Sequence, residues 1–159
     1  MHIHVIAVGR IKERFMVEGI TEYLKRLGPY CRVDVREVPE ERLPERASAA
    51  EQDIVRQKEG ERILALIPPD SYTIALSIEG QALSSPELAA MIDRLGLTGK
   101  SELNFIIGGS IGLSGAVIAR ADYLLSFSRL TFPHQLMRLI LLEQIYRAFK
   151  ISRGEPYHK

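Results

Sequence analysis

Apolar and polar residues follow one another along the chain in blocks that predict alternating strands and helices. Residues His2 to Val8 are apolar and β-branched, which is typical of a buried strand. Between Glu13 and Leu27 the apolar residues recur at helical spacing, which predicts an amphipathic helix. Further strands are predicted at Arg32–Val38, Tyr72–Ile78, Leu103–Ile107 and Tyr123–Phe127. Strands interleaved with helices predict an α/β fold with a mostly parallel sheet and helices on both faces.

Capping and breaking residues predict the remaining helices. One helix ends near Leu66, where Pro68-Pro69-Asp70 closes it. Another begins at Ser85-Pro86-Glu87, a cap followed by a first-turn proline and an acid, and runs to about Leu95. A short helix is expected at Gly115–Arg120. No repeat, linker or low-complexity segment divides the chain, so we expect a single domain over residues 1–159.

The last predicted helix, Pro133 to Phe149, carries apolar residues on more than one face. One face can pack on the sheet. The other predicts a homodimer, because a second copy of the chain is the commonest partner for such a surface, and we expect Ile140 and Ile145 to point outward. The alternative is a helix that is buried entirely within the monomer.

Composition narrows the class of protein. The 159 residues are 46% hydrophobic and 26% charged, which suits a globular domain. Neither a signal peptide nor an apolar run approaching the ~18 residues of a membrane span is visible, so we expect a soluble cytoplasmic protein without a membrane partner. The single cysteine, Cys31, cannot form an internal disulfide and has no zinc ligands clustered around it; we interpret it as a small structural residue.

Positive charge collects at the carboxyl end. Residues 129–159 hold six Lys or Arg against two acidic residues, although the whole chain carries a net charge of only +1. A basic end on a nearly neutral body favours a local contact with phosphate over a general nucleic-acid coat. Ordinary solvated surface charge is the alternative explanation.

Candidate chemistry lies at the strand ends, where parallel sheets form their binding crevices. The first strand lacks the G-x-G-x-x-G dinucleotide motif, and no P-loop is present. Glycines follow the fourth strand instead, in FIIGGSIGLSG, where backbone can approach a ligand closely or simply form a tight turn. With the loops at 76–80 and 126–132, this segment would shape a nucleoside pocket. His134 opens the last helix, and we interpret it as a packing or capping residue rather than a base.

An ordered set of motifs then identifies a resemblance that spans the chain: VIAVGRIKE, IGGSIGLS, SFSRLTFPHQLMR, LLEQIYRAFKI and the terminal RGEPYHK. Together they resemble the ribosomal RNA large subunit methyltransferase H family. The resemblance implies a fold of the SPOUT class with a trefoil knot at the carboxyl end and S-adenosylmethionine bound in the knot loops. It also implies methylation at N3 of a pseudouridine in 23S ribosomal RNA, with the RNA or the ribosome as partner and no metal.

The resemblance also assigns cofactor contacts to residues of this chain. They fall in the same three loops: Leu76, Gly108, Gly109, Phe127, Ser128, Arg129, Leu130, Thr131 and Phe132. A sulfonium methyl group needs no activating metal, only an in-line nucleophile and a dry, well-oriented pocket.

The polar tail after the last helix supplies candidate catalytic residues. We expect Tyr157 to orient the target base, His158 to share or remove the imide proton, and Arg153 with Lys159 to hold RNA phosphate. Because the last helix is expected at a dimer interface, the tail would reach the cofactor pocket of the other subunit. A frayed terminus is the alternative.

Two other classes of protein stay open at this point. A non-catalytic dimer that binds RNA or the ribosome would share the basic end and the apolar helix, but would not bind S-adenosylmethionine. A small-molecule α/β enzyme would need an acid-base or metal cluster, and no G-x-S-x-G or H-E-x-x-H motif is present.

Overall fold

A computed structural model describes all residues from Met1 to Lys159. Strands and helices alternate along the chain as β1 (His2–Val8), α1 (Arg14–Leu27), β2 (Arg32–Val38), α2 (Ala49–Leu64), β3 (Tyr72–Ala82), α3 (Ser85–Leu97), β4 (Glu102–Ile107), α4 (Gly115–Arg120), β5 (Tyr123–Ser126) and α5 (His134–Ser152). No helix has both the length and the apolar character needed to cross a membrane.

One five-stranded sheet organises the molecule. Its order is β2-β1-β4-β3-β5, and every neighbouring pair is parallel. Helices α1, α3 and α5 pack over the larger buried cluster on one face, and α2 and α4 cover a smaller cluster on the other. The predicted α/β class, the parallel sheet and the helices on both faces are confirmed. Since β4, β3 and β5 are neighbours, the loops after all three meet at one sheet edge.

Strand β3 is longer than the apolar pattern predicts because it contains a bulge. Pairing with β5 stops at Leu76 and resumes at Gln81. A Cβ atom at Gly80 would lie 2.6 Å from the backbone of Leu124, so only glycine lets the two strands approach this closely. The bulged residues project beyond the regular sheet at the end of β3, and Ser77 and Ile78 line the cleft that opens there.

Helix α5 buries its central face in the core of its own chain. Leu141, Leu142 and Ile145 are fully buried, so the expectation that Ile145 points outward is wrong. The helix spacing places Ile145 on the same face as Leu141, and that face packs against the sheet and α3. Ile140 is half-buried and lines a smaller pocket instead.

Arg138, on the same helix, is one of the six Lys or Arg residues of the basic carboxyl end. It is a buried structural residue, so it is not available to phosphate. The residue is 1% exposed; one guanidinium nitrogen donates to Glu37 at 2.6 Å and another to the carbonyl oxygen of Gly9 at 3.0 Å. Glu37 also accepts from the backbone N–H of Ile11. This network ties α5 to the carboxyl ends of β1 and β2.

Cys31 lies buried immediately before β2, in agreement with a structural role. Burial raises the pKa of its thiol to about 11. At pH 8 roughly one thiol in a thousand is then ionised, against roughly a quarter for an ordinary cysteine of pKa about 8.5. We therefore expect the folded protein to react with a thiol reagent more than about a hundredfold slower than after denaturation. Equal rates in the folded and denatured protein would contradict this placement.

Candidate active site

A cleft of about 710 Å³ opens where β3, β4 and β5 end. Its walls are largely apolar, and its size falls in the ordinary range for a small-molecule site. His134 is the only residue in its lining with an ionisable side chain; no carboxylate, lysine or arginine contributes. The cleft can therefore enclose and orient a ligand, but any reactive charge must come from the ligand or from outside the cleft.

The glycine segment forms one wall. The backbone N–H of Gly112 donates to the carbonyl oxygen of Gly109 at 3.1 Å, which closes a tight turn after β4. Ser114 then caps α4 by accepting from the backbone N–H of Val117. A capped helix and a closed turn hold this wall rigidly against the strand end.

The segment after β5 forms the opposite wall. Ser128 organises it: the side-chain oxygen accepts from the backbone N–H of Leu130 at 3.0 Å, and the carbonyl oxygen accepts from the hydroxyl of Ser126. Leu130 and Phe132 remain exposed apolar side chains at the mouth of the cleft, 72% and 36% exposed, as does Ile78 from the bulge. An apolar rim of this kind favours a planar or apolar ligand group over bulk water.

The predicted cofactor residues come together around this cleft with one exception. Leu76, Gly108, Gly109, Phe127, Ser128, Leu130, Thr131 and Phe132 all line it. Arg129 does not: its side chain is exposed, forms no ion pair, and does not line the cleft. Ile118 and Met137 also line the cleft but lie outside the three segments predicted from the sequence, because apolar lining residues carry no pattern that separates them from core residues.

His134 lies at the junction of the cleft and α5. Pro133 occupies the cap position and no side chain caps this helix, so of the two predicted roles, packing or capping, only packing remains. The ring packs instead near Gly9, where a Cβ atom would lie 3.8 Å from Nε2, and Nε2 is buried with no hydrogen-bond partner. This nitrogen is the one polar side-chain atom in the lining that is both buried and unpaired.

Glu59 of α2 packs against the glycine turn at Gly109. The side chain is 3% exposed; one carboxyl oxygen accepts from the backbone N–H of Glu41 at 3.0 Å, and the other has no partner. A Cβ atom at Gly109 would lie 3.2 Å from that unpaired oxygen. Burial, with a smaller contribution from Glu40, raises the pKa of the Glu59 carboxyl. The carboxyl group that packs against the turn therefore keeps its proton to a higher pH than a glutamate in water does.

This raised pKa predicts a pH dependence of stability. The folded protein keeps the Glu59 proton to a higher pH than the unfolded chain does, so stability is lost as the pH rises through the folded-state pKa. We expect Glu59→Gln to gain unfolding free energy relative to the unmodified protein as the pH rises above about 4.3, the ordinary pKa of a glutamate. Denaturant titrations at several pH values measure this difference, with the exposed neighbour Glu61→Gln as the matched control. A difference that does not change with pH would contradict it.

The tail folds back onto α1 and α5 rather than fraying. The hydroxyl of Tyr157 donates to Glu143 at 3.1 Å, and its ring lies edge-on to Tyr146 with centroids 4.9 Å apart. The Arg147 guanidinium lies 4.8 Å from the centre of the Tyr157 ring. Burial, followed by the hydrogen bonds to Tyr23 and Glu143, raises the pKa of the Tyr157 phenol. The tail therefore has a defined position within the subunit.

The other predicted catalytic residues are more exposed. Arg153 lies over the ring of Tyr30 at 4.5 Å, and Nδ1 of His158 lies 3.3 Å from a guanidinium nitrogen of Arg147. Neither of them, nor Tyr157, lines the cleft. Within one chain the structure does not bring the predicted cofactor residues and the predicted catalytic residues together.

Ion pairs reduce the charge of the basic carboxyl end. Arg138 pairs with Glu37, Arg147 with Glu143 and Lys150 with Glu155. Exposed cations without an ion pair remain at Arg129, Arg153 and Lys159. Phosphate contact is thus available from three of the cations counted in the sequence.

Comparison with known proteins gives full-length matches to one family. A family model described as a predicted SPOUT methyltransferase matches residues 1–158. A protein of Carboxydothermus hydrogenoformans named ribosomal RNA large subunit methyltransferase H is 63% identical over 159 residues, the full length of both chains. A Listeria monocytogenes protein of the same name is 57% identical over the same length.

Solved structures agree on the fold. A probable methylase family protein from Haemophilus influenzae superimposes with a TM-score of 0.56 at 13% identity, covering 99% of this chain and 70% of the other. A putative methylase family protein from Neisseria gonorrhoeae gives a TM-score of 0.50, also at 13% identity, with 99% and 85% covered.

Proposed function

Because this chain belongs to the ribosomal RNA large subunit methyltransferase H family of SPOUT methyltransferases, we propose that it methylates a nucleotide of large-subunit ribosomal RNA. The observation that carries the proposal is the cleft at the ends of β3, β4 and β5. It encloses space for a nucleoside-sized ligand between glycine backbone and apolar walls, and offers almost no acid-base chemistry of its own. A methyl donor that carries its own reactivity suits such a site.

S-adenosylmethionine is the proposed donor. The glycine turn at Gly108–Gly109 and the loop Phe127–Phe132 hold it, with Leu76 closing the third side. When bound, it supplies an electrophilic methyl group that needs no metal. In the SPOUT arrangement that the family implies, these same loops form the trefoil knot. The apolar lining supports the proposal because it excludes water and fixes the direction of approach to the methyl group.

The proposed acceptor is N3 of a pseudouridine in 23S ribosomal RNA. An imide nitrogen needs its proton removed or shared before it attacks, and the charge that develops on the base needs stabilisation. His158 takes the proton, Tyr157 orients the base, and Arg153 with Lys159 holds phosphate. Arg129, which is exposed next to the cleft loop, adds a further cation on the path of the RNA.

A homodimer reconciles the separation of cleft and tail. Since the tail of one chain does not line its own cleft, the tail of a second chain completes the site. The half-buried apolar residues at the start of α5, including Leu136 and Ile140, support this contact. Ile140 lines a second pocket that shares Phe127 and Phe132 with the cleft. Such an enzyme works in the cytoplasm, where ribosomes are assembled.

The proposal is tested by methylation of ribosomes. Ribosomes that lack the modification are incubated with the protein and labelled S-adenosylmethionine, and the labelled nucleotide is mapped. We expect one labelled pseudouridine in 23S ribosomal RNA, with Gly108→Val as the impaired control. Binding to ribosomes without methyl transfer would instead identify a non-catalytic RNA-binding dimer, and label elsewhere would overturn the proposed acceptor.

A further inference from the structure

Two histidines and two carboxylates meet at the amino ends of the strands, at the end of the sheet opposite the cleft. His2 and His4 are two positions apart on β1, so both side chains project from the same face of the strand. Asp34 of β2 lies on one side of them and Glu102 of β4 on the other. Three parallel strands therefore bring their amino ends together around imidazole and carboxylate groups. The proposed methyl transfer uses none of these residues.

The donor atoms lie close enough for one ion. Ligand atoms of His2, His4 and Glu102 all lie within 4.8 Å of one another. Nε2 of His4 is 2.8 Å from Glu102, and Nε2 of His2 is 2.7 Å from Asp34. In a tetrahedral zinc site, metal-ligand bonds of about 2.0–2.1 Å place the donors roughly 3.3 Å apart. Small side-chain rotations therefore suffice to bring the three donors around an ion.

One buried nitrogen points to a ligand. His4 is 1% exposed, and its Nδ1 has no hydrogen-bond partner although Asp34 Oδ2 is 3.5 Å away. In the neutral imidazole the proton must sit on one nitrogen. If Nε2 donates to Glu102, Nδ1 turns a lone pair towards a carboxylate, which is unfavourable in a buried place. A metal ion on Nε2 reverses this, because the proton then sits on Nδ1 and faces Asp34.

We propose that His2, His4 and Glu102 bind a divalent transition-metal ion of the zinc class, with Asp34 as the carboxylate that orients both imidazoles. Nε2 of His4 and a carboxyl oxygen of Glu102 are ligands, and His2 binds through the nitrogen that Asp34 does not hold. Mixed imidazole and carboxylate ligands suit zinc, and the carboxylate-histidine-metal arrangement is a common one. The side chains of His2, Asp34 and Glu102 are 27%, 33% and 43% exposed, so an ion can enter and water can complete its shell.

The ion would hold the amino ends of the strands together. Residues from β1 and β4 bind it directly, and Asp34 links β2 through its hydrogen bond to His2 and its approach to Nδ1 of His4 at 3.5 Å. Binding to the folded chain alone stabilises the fold by mass action, so the unfolding temperature rises with metal concentration. This role is independent of the cleft, and the site does not depend on the proposed function.

The test uses full-length protein with its native amino terminus, because the histidines of an affinity tag would bind the same ion. Chelator-treated protein is titrated with Co²⁺, whose visible absorption reports tetrahedral coordination, and Zn²⁺ is then added to displace it. We expect one equivalent of Co²⁺ per chain, displacement by Zn²⁺, and a parallel rise in unfolding temperature. Absence of stoichiometric binding by the unmodified protein would overturn the proposal.

Variants locate the ion. His2→Gln and Glu102→Gln change partly exposed residues and should remove the cobalt spectrum, while circular dichroism checks that each variant is folded. Asp34→Asn should weaken affinity by about 10–100-fold, as expected for an orienting residue. His158→Gln, a histidine outside the cluster, should bind as the unmodified protein does. Retained binding in both His2→Gln and Glu102→Gln, or lost binding in His158→Gln, would place the ion elsewhere and contradict the proposal.

Discussion

Gly108→Val is expected to weaken S-adenosylmethionine binding by well over tenfold, which corresponds to more than about 1.4 kcal/mol. A Cβ atom at Gly108 would lie 3.0 Å from the backbone carbon of Gly112 and 3.0 Å from a methyl of Leu113. The two further methyl groups of valine increase this crowding. Since the clash is with backbone of the same turn, the turn must open, and the wall of the cleft moves with it.

Calorimetric titration of each variant with S-adenosylmethionine measures the effect. Gly115→Val is the matched control, because a Cβ atom at Gly115 meets no atom within 4 Å. Gly109→Val is expected to have a smaller effect than Gly108→Val, since its closest neighbours are the Val8 and Glu59 side chains, which can move. Unchanged affinity in a folded Gly108→Val protein would show that the cofactor is not held by this turn.

Deletion of residues 157–159 is expected to lower methyl transfer at least about a hundredfold, the usual size of lost acid-base help. Affinity for S-adenosylmethionine should change little, because the proposed cofactor contacts lie in the cleft loops and the proposed role of the tail is to hold the RNA base. The deletion also removes the packing of Tyr157 on Tyr146, so a modest loss of stability is expected. Single-turnover methylation of ribosomes separates this loss from a loss of chemistry.

Two point variants separate the roles of the deleted residues. Tyr157→Phe keeps the ring packing and loses only the hydroxyl, whereas His158→Gln removes the proposed proton acceptor. Lys100 is an exposed cation just before β4, at the end of the sheet away from the cleft. The variant Lys100→Ala therefore controls for the single positive charge that is lost with Lys159. A truncated protein that methylates ribosomes at the normal rate would remove Tyr157 and His158 from the catalytic assignment.

Much of the fold could be predicted from periodicity because burial on a sheet leaves a clear apolar pattern. Strands β1 and β2 begin and end at the predicted residues. Strand β3 runs to Ala82 rather than Ile78, because the bulge at Gly80 interrupts the alternation that marks a strand. Helix α5 continues three residues beyond Phe149, where one apolar residue between Lys150 and Ser152 is too little to show a helical period.

The position of the candidate site could also be predicted, although the ion pairs of the nearby cations could not. Loops after parallel strands share one edge of the sheet, so the glycine segment and the loop at 126–132 were expected to meet. An ion pair between residues far apart in the sequence leaves no local sequence pattern. Arg138 and Glu37 are 101 positions apart, and no sequence pattern distinguishes Arg138 from the cations that face solvent.

The same limit explains why no metal site was expected. The sequence brings only His2 and His4 together, and a pair of alternating histidines on a strand is weak evidence of a site. Asp34 and Glu102 join them only because β1 pairs with both β2 and β4 in the sheet. Strand order is thus the information that turns separate polar residues into a cluster.

Mixing two inactive variants tests most directly whether one chain's cleft works with another chain's tail. Gly108→Val keeps an intact tail, and the 157–159 deletion keeps an intact cleft. Co-expression in equal amounts should place one complete site in each mixed dimer and restore about a quarter of normal methyl transfer to ribosomes, because half of the dimers are mixed. No recovery, with mixed dimers verified by mass and light scattering, would contradict a site shared between two subunits.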